Sequence, residues 1–221
     1  MKTNRIVHKK KQRSRYMVIA IAFFLAGVLI YEVVTMLNSG SGSLPVTGQV
    51  QNFSAVNAVT GKPFTEQQLT GKIYVMTWYY THCTDLCPLT MYRFEQLQAK
   101  LKAQHLLGNK VVLIAMTLDP VRDTAPVIQQ YSRHFHASQG WYFLRSTLAN
   151  TDKVLSEWGV LARPSSNKEF LEHTSKTVLV DQNGNIRNTY TSANLNSGAI
   201  LTDIESIVQR NQWLQPGGTN S

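Results

Sequence analysis

Cysteine is scarce in this chain of 221 residues: only Cys83 and Cys87 occur, four positions apart. A bridge between so close a pair closes almost no loop and adds little to fold stability, so a disulfide-stapled scaffold is excluded. Acidic residues are missing from residues 1–15, which carry Lys2, Arg5, Lys9, Lys10, Lys11, Arg13 and Arg15. Without those seven the formal charge of +9 falls to +2. The basicity is therefore a local tail and not a binding face, and nucleic acid is not an expected partner. Lys and Arg are then absent until Lys62. There is no internal repeat, and a composition 43% hydrophobic and 16% charged gives no sign of wholesale disorder.

The basic tail runs straight into an apolar segment, uncharged from Met17 to Tyr31 and interrupted by Glu32. Tyr16 to Leu37 supplies the roughly 20 residues that a membrane-spanning helix needs. The charge asymmetry places the N-terminus in the cytoplasm and the rest outside. No small-x-small cleavage site follows the run directly, so an uncleaved anchor is expected in place of a signal peptide. A basic stretch this short favours a bacterial cell membrane over a mitochondrial transit peptide. The expected organisation is a cytoplasmic tail (1–15), a transmembrane anchor (16–37), a linker NSGSGSLPVTG (38–48), a globular domain (49–214) and a frayed tail QPGGTNS (215–221).

Within the domain, strand and helix signals alternate. A short strand is expected over Phe53–Val59, with a turn at Thr60-Gly61-Lys62-Pro63. Ile73–Tyr80 (IYVMTWYY) is a β-branched and aromatic run, and Val111–Leu118 (VVLIAMTL) is continuously apolar. Such runs mark buried strands, the second a central strand covered on both faces. Helices are expected from Pro88 to about His105, from Pro126 through Phe135, over Asp152–Trp158, and around Ile200, Ile204, Ile207 and Val208. Trp141–Leu144 reads as a short strand, and Thr177–Asp181 with Ile186–Thr191 flanks an Asn183-Gly184 hairpin turn. This order is an α/β domain, a mixed sheet with covering helices, and it matches the thioredoxin-like layout.

The cysteines lie in Cys83-Thr84-Asp85-Leu86-Cys87-Pro88, at a strand-to-helix turn. A helix N-terminus offers unpaired N–H groups and the positive end of its dipole, which stabilise a thiolate. Residues i and i+4 share a face if the turn is helical, so both sulfurs can converge. Two thiolates are a soft donor set suited to Cu(I) and to Zn, and the same pair can close into a disulfide. Thioredoxin-type enzymes use two intervening residues; here there are three.

Two thiolates alone leave a metal under-coordinated, and the chain offers six histidines as further donors. His8 lies in the tail; His105, His134 and His136 fall at helix ends; His82 is adjacent to Cys83, where neighbouring side chains usually diverge, and reads as a surface or supporting group with ligation as the alternative. His173, in a polar segment before Thr177–Asp181, passes beside the cysteine turn in a thioredoxin-like topology. Asp119, Arg122 and Asp123 read as a loop salt bridge with a helix cap at Asp123 or Thr124, or as a polar shelf beside the metal site that orients the cysteine turn or docks a partner. Asp85 reads as a helix cap or as a charge that tunes the thiols. Trp78, Tyr79 and Tyr80 read as packing.

Three features together resemble the Sco/SenC family of copper-binding assembly factors. They are Tyr80-Thr81-His82-Cys83-Thr84-Asp85-Leu86-Cys87-Pro88, Thr117-Leu118-Asp119-Pro120-Val121-Arg122-Asp123-Thr124, and the isolated His173 before an Asp-x-x-Gly hairpin. The resemblance covers roughly Gln49 to Arg210. It implies a thioredoxin-like fold, one copper held by Cys83, Cys87 and His173, and assistance to the CuA centre of cytochrome c oxidase subunit II. A copper donor protein is implied as a second partner. The alternative is a thiol–disulfide oxidoreductase using Cys83 and Cys87 as a redox pair on that subunit or another extracytoplasmic protein. Only the delivery role needs His173 as a ligand.

Overall fold

The computed structural model describes residues 17, 19, 21–33, 44–164 and 171–213. The chain separates into two units, Met1–Ser43 and Leu44–Ser221. In the first, residues 21–33 are helical, and their large apolar side chains are exposed. No helix among the described residues is long and apolar enough to cross a membrane. The expected anchor over 16–37 extends beyond those residues at both ends. The expected tails at 1–15 and 215–221, and the linker from 38 to 43, lie outside them.

The second unit is built on an eight-stranded mixed sheet. Its strands are β1 (Gly48–Gln49), β2 (Ser54–Asn57), β3 (Pro63–Thr65), β4 (Ile73–Tyr79), β5 (Val111–Thr117), β6 (Trp141–Arg145), β9 (Thr177–Val180) and β10 (Asn185–Tyr190), in the order β1-β10-β9-β4-β5-β6-β2-β3. A separate two-stranded hairpin is formed by β7 (Ala162–Pro164) and β8 (Leu171–His173). The helices are α1 (Leu86–Ala103), α2 (Ala125–His134), α3 (Leu148–Glu157) and α4 (Ser197–Trp213).

Every residue of β4 and β5 is buried, which is why both read as unbroken apolar runs. They pair in parallel from Ile73↔Val111 to Tyr79↔Thr117, and β6 continues the parallel set. On the other side β9 runs antiparallel to β4, with Thr77↔Thr177 and Tyr74↔Val180. The C-terminal ends of β4 and β5 and the start of β9 therefore lie at one end of the sheet. Helix α1 packs on β5 and α4, and α2 on β6.

Some boundaries differ from expectation for local reasons. Helix α3 starts at Leu148, not Asp152, because the Thr147 hydroxyl accepts the Asn150 N–H and caps it. Leu44–Gly48 reads as linker by composition. Thr47 nonetheless donates its N–H to the Ile186 carbonyl, and Gly48 pairs with Ile186. Strands β3, β7 and β8 are three residues each and lack an apolar pattern that would reveal them.

Candidate metal centre

The chain leaves β4 through Tyr80 and Thr81, and the Cys83 N–H closes a turn onto the Tyr80 carbonyl at 3.2 Å. Residues 82–85 are turn, irregular backbone and bend, not helix. The sulfurs therefore do not meet by the helical i, i+4 relation. The bend instead lays Cys83 over the start of α1, where its Sγ accepts the Cys87 N–H at 3.4 Å. Asp85 occupies the N-cap position but makes no side-chain cap bond; the Cys83 sulfur meets the helix end in its place. Pro88 costs nothing in the first turn, where its missing N–H has no helical acceptor.

His173 ends β8, and its Nε2 lies 3.6 Å from the Cys87 Sγ. One donor atom from each of Cys83, Cys87 and His173 lies within 4.8 Å of the other two, the one such group of metal-ligating side chains among the described residues. The Nδ1 of His173 is 3.2 Å from the Thr174 carbonyl. A carbonyl only accepts, so Nδ1 carries the hydrogen and Nε2 faces the sulfurs, the arrangement that orients a metal-binding imidazole.

The two thiols are electrostatically unlike. Cys83 is lowered to about 3, first by the hydrogen bond from Cys87, then against burial by contacts from His173 and the N–H groups of Asp85 and Cys87. Cys87 moves upward because it keeps the shared proton, because it is buried, and because Cys83 is negative. Burial opposes charge on His173, but the Cys83 sulfur and the Thr174 carbonyl outweigh it and raise its pKa. The site thus holds a thiolate beside a thiol and a basic imidazole.

Behind the turn, the buried Asp123 carboxylate collects three donors. Thr81 supplies its N–H at 3.2 Å and its hydroxyl at 2.5 Å, and Thr117 supplies its hydroxyl. Asp123 is therefore not the cap of α2, and Thr124 at the cap position makes no side-chain cap bond either. Of the two readings for this loop, Asp123 matches the one that orients the cysteine turn. The salt bridge expected nearby is present between Arg122 and Asp119. His82 is exposed and only approaches the Thr81 hydroxyl, at 3.3 Å. His105 and His136 follow helices α1 and α2, and His134 ends α2. Trp78, Tyr79 and Tyr80 are buried.

The cysteine turn, the Asp123 loop and His173 all fall within residues 45–209, which match the SCO1/SenC family model. The chain belongs to the SCO1/SenC family. Its fold is similar to that of a SCO1/SenC family lipoprotein from Bacillus anthracis, with a TM-score of 0.67 and 24% identity over 74% of this chain and 97% of that one. BsSco, described as a member of the Sco family of cytochrome c oxidase assembly proteins with a disulfide switch, gives 0.64 and 22% over 74% and 95%. Yeast Sco1 with copper bound gives 0.59 and 20% over 79% and 97%. The matches span 42% to 61% of the length of the first curated relatives, the lowest share being of the yeast mitochondrial SCO2. The SCO1/SenC fold is thus the mixed α/β, thioredoxin-like one seen here.

Sequence reasoning missed the partners that hold the site: Tyr80 as a hydrogen-bonding group, Thr81, Thr117 and the Thr174 carbonyl. The one available signal was polar Thr117 ending an apolar strand two residues before Asp119.

Proposed function

We propose that this protein is a membrane-anchored copper metallochaperone of the SCO1/SenC family. Cys83, Cys87 and His173 hold one copper ion as cargo. The convergence of two sulfurs and an imidazole nitrogen within 4.8 Å carries the reading. Two soft donors and one borderline donor suit both copper oxidation states. A three-ligand site with one half-buried cysteine leaves a side from which an incoming ligand can take the ion. Copper bound to yeast Sco1, and the membership of BsSco in a family of cytochrome c oxidase assembly proteins, support the same reading.

The receiving partner on this reading is the CuA domain of cytochrome c oxidase subunit II, and a separate protein supplies the copper. The anchor is residues 16–37. Its support is the helical stretch 21–33, whose exposed side chains include Phe23, Phe24, Leu25, Leu29 and Ile30. A helix apolar on all sides belongs in lipid. With the basic tail inside, the copper domain stands on the outer face of a bacterial cell membrane.

The test is copper binding by the full chain, reduced, in detergent, as wild type and His173→Ala. One copper per wild-type chain, with Cu(II)–thiolate absorption altered and affinity lost in the variant, is the expected result. Binding indifferent to His173 would remove the three-ligand site.

The low pKa of Cys83 favours a second reading, thiol–disulfide exchange. The Cys83 thiolate would attack a partner disulfide, and Cys87 would resolve the mixed disulfide. The partner's dithiol leaves, and two electrons have left the Cys83–Cys87 pair, which is then a disulfide. This reading predicts activity that survives His173→Ala.

A further inference from the structure

His173 stands on a strand outside the main sheet. Strand β8 pairs with β7 alone among the described residues, and an isolated two-stranded hairpin is marginally stable in water. Its base is held by Thr174, which exchanges bonds with the backbone of Leu161, and by Lys176, which donates to the Trp158 carbonyl. Both neighbours lie on the chain that leads into β7. Neither links β8 to the cysteine turn.

Tyr80 does. It is buried, three residues before Cys83, and its hydroxyl meets both backbone groups of Leu171. The Leu171 N–H donates to the phenol oxygen, and the phenol O–H donates to the Leu171 carbonyl, each at 3.2 Å. Leu171 and His173 are two apart on one strand and so point to the same face. The Tyr80 ring stands edge-on to the His173 imidazole, with centroids 5.6 Å apart and planes at 87°. The Arg122 guanidinium lies 5.9 Å from the ring centroid and pairs with Asp119. The ring is thus steadied from the Asp119–Arg122 loop while its hydroxyl grips β8.

We propose that Tyr80 is a positioning residue that latches β8 to the exit of β4 and so fixes His173 against the two cysteines. An apolar ring would pack in the same space without gripping the strand. Through this hydroxyl the chain sets how firmly the third donor is held, and hence how readily cargo leaves. The inference rests on the copper reading for that last consequence, but the latch itself exists without metal.

The test is Tyr80→Phe, which keeps the ring and removes the hydroxyl. In the metal-free full chain, amide exchange at Leu171 should quicken about five- to tenfold, the scale of one lost hydrogen bond. The His173 ring resonances should shift at the same time. With Cu(I), competition against a chelator should show affinity about three- to tenfold weaker in Tyr80→Phe. No further loss should follow when Tyr80→Phe is added to His173→Ala, because the effect passes through the imidazole. Unchanged exchange and ring signals, or an equal loss in the His173→Ala background, would overturn the proposal. Equal copper binding by wild type and His173→Ala would defeat the copper reading instead, and the exchange rate at Leu171 would still decide the latch.

Discussion

Cys83 carries the negative charge of the pair because its sulfur sits where donors converge. Cys87, His173 and the N–H groups of Asp85 and Cys87 all reach it, while Cys87 is only 2% exposed, where charge is costly. The pair therefore behaves as one titrating unit that keeps a single proton near neutrality. Because the pKa of Cys83 is lowered from 9.0 to about 3, its contribution to stability is complete above pH 9 and is lost as pH falls toward 3. Alkylation of Cys83 by iodoacetamide should then be nearly flat from about pH 5 to 8, since the thiolate is already formed. Cys87→Ala removes the largest cause of the shift, and the onset of alkylation should move upward by more than one pH unit. A wild-type profile that rises with a midpoint near 9 would show that the donors do not act as described.

Between elements, one carboxylate does the joining. Asp123 ties Thr81, just past β4, to Thr117, the last residue of β5, and so fixes where the cysteine turn departs. Asp123→Ala leaves the Thr81 N–H without its acceptor inside the fold. The expected cost is about 2–3 kcal/mol, read as a lower urea midpoint with an unchanged slope. Copper affinity should fall as well, because Cys83 follows two residues after Thr81. A midpoint within error of wild type would reduce Asp123 to a spectator. The same elements show what the sequence made legible. Strands β4 and β5 could be read directly, since burial on both faces leaves an unbroken apolar signature. Both cysteines and His173 stood out by residue type. The grip of Asp123 did not, because an Asp three residues before a helical proline looks like a cap, and only the folded register of β4 against β5 brings Thr81 and Thr117 to it. Strand β8 was equally hidden: Leu171-Glu172-His173 is too short and polar for a periodic signal, and its partner is supplied by β7 nine residues earlier.

Across the whole domain, the strand registers give the sheet two distinct ends. The site lies past Tyr79, beside Thr177, while β1 pairs with Asn185 and Ile186 at the level of Val180 and Tyr74. The seven residues of β4 separate these ends by about 20 Å. At the far end a bulge sets Arg187 out of register between Ile186 and Asn188. This frees its guanidinium to bond Asp181 at 3.0 Å and also the Leu44 carbonyl. Arg187 therefore fastens the first residue of the domain to its sheet, at the end away from the metal centre. Burial raises the pKa of Asp181, but the bonds from Asn185, Arg187 and Asn183 outweigh it and the net shift is downward. The stability this confers is present above the ordinary carboxylate range and is lost as pH falls through the lowered value. Arg187→Ala leaves a nearly buried carboxylate without its counter-ion, at an expected cost of about 3 kcal/mol near neutral pH. Acid unfolding should begin at a higher pH than in wild type, because Asp181 then protonates sooner. Copper stoichiometry and affinity should be unchanged, since the lesion lies at the other end of the sheet. Loss of copper binding in a variant that remains folded at pH 7 would show that the two ends are coupled, and that the attachment of the chain at Leu44 bears on the metal centre.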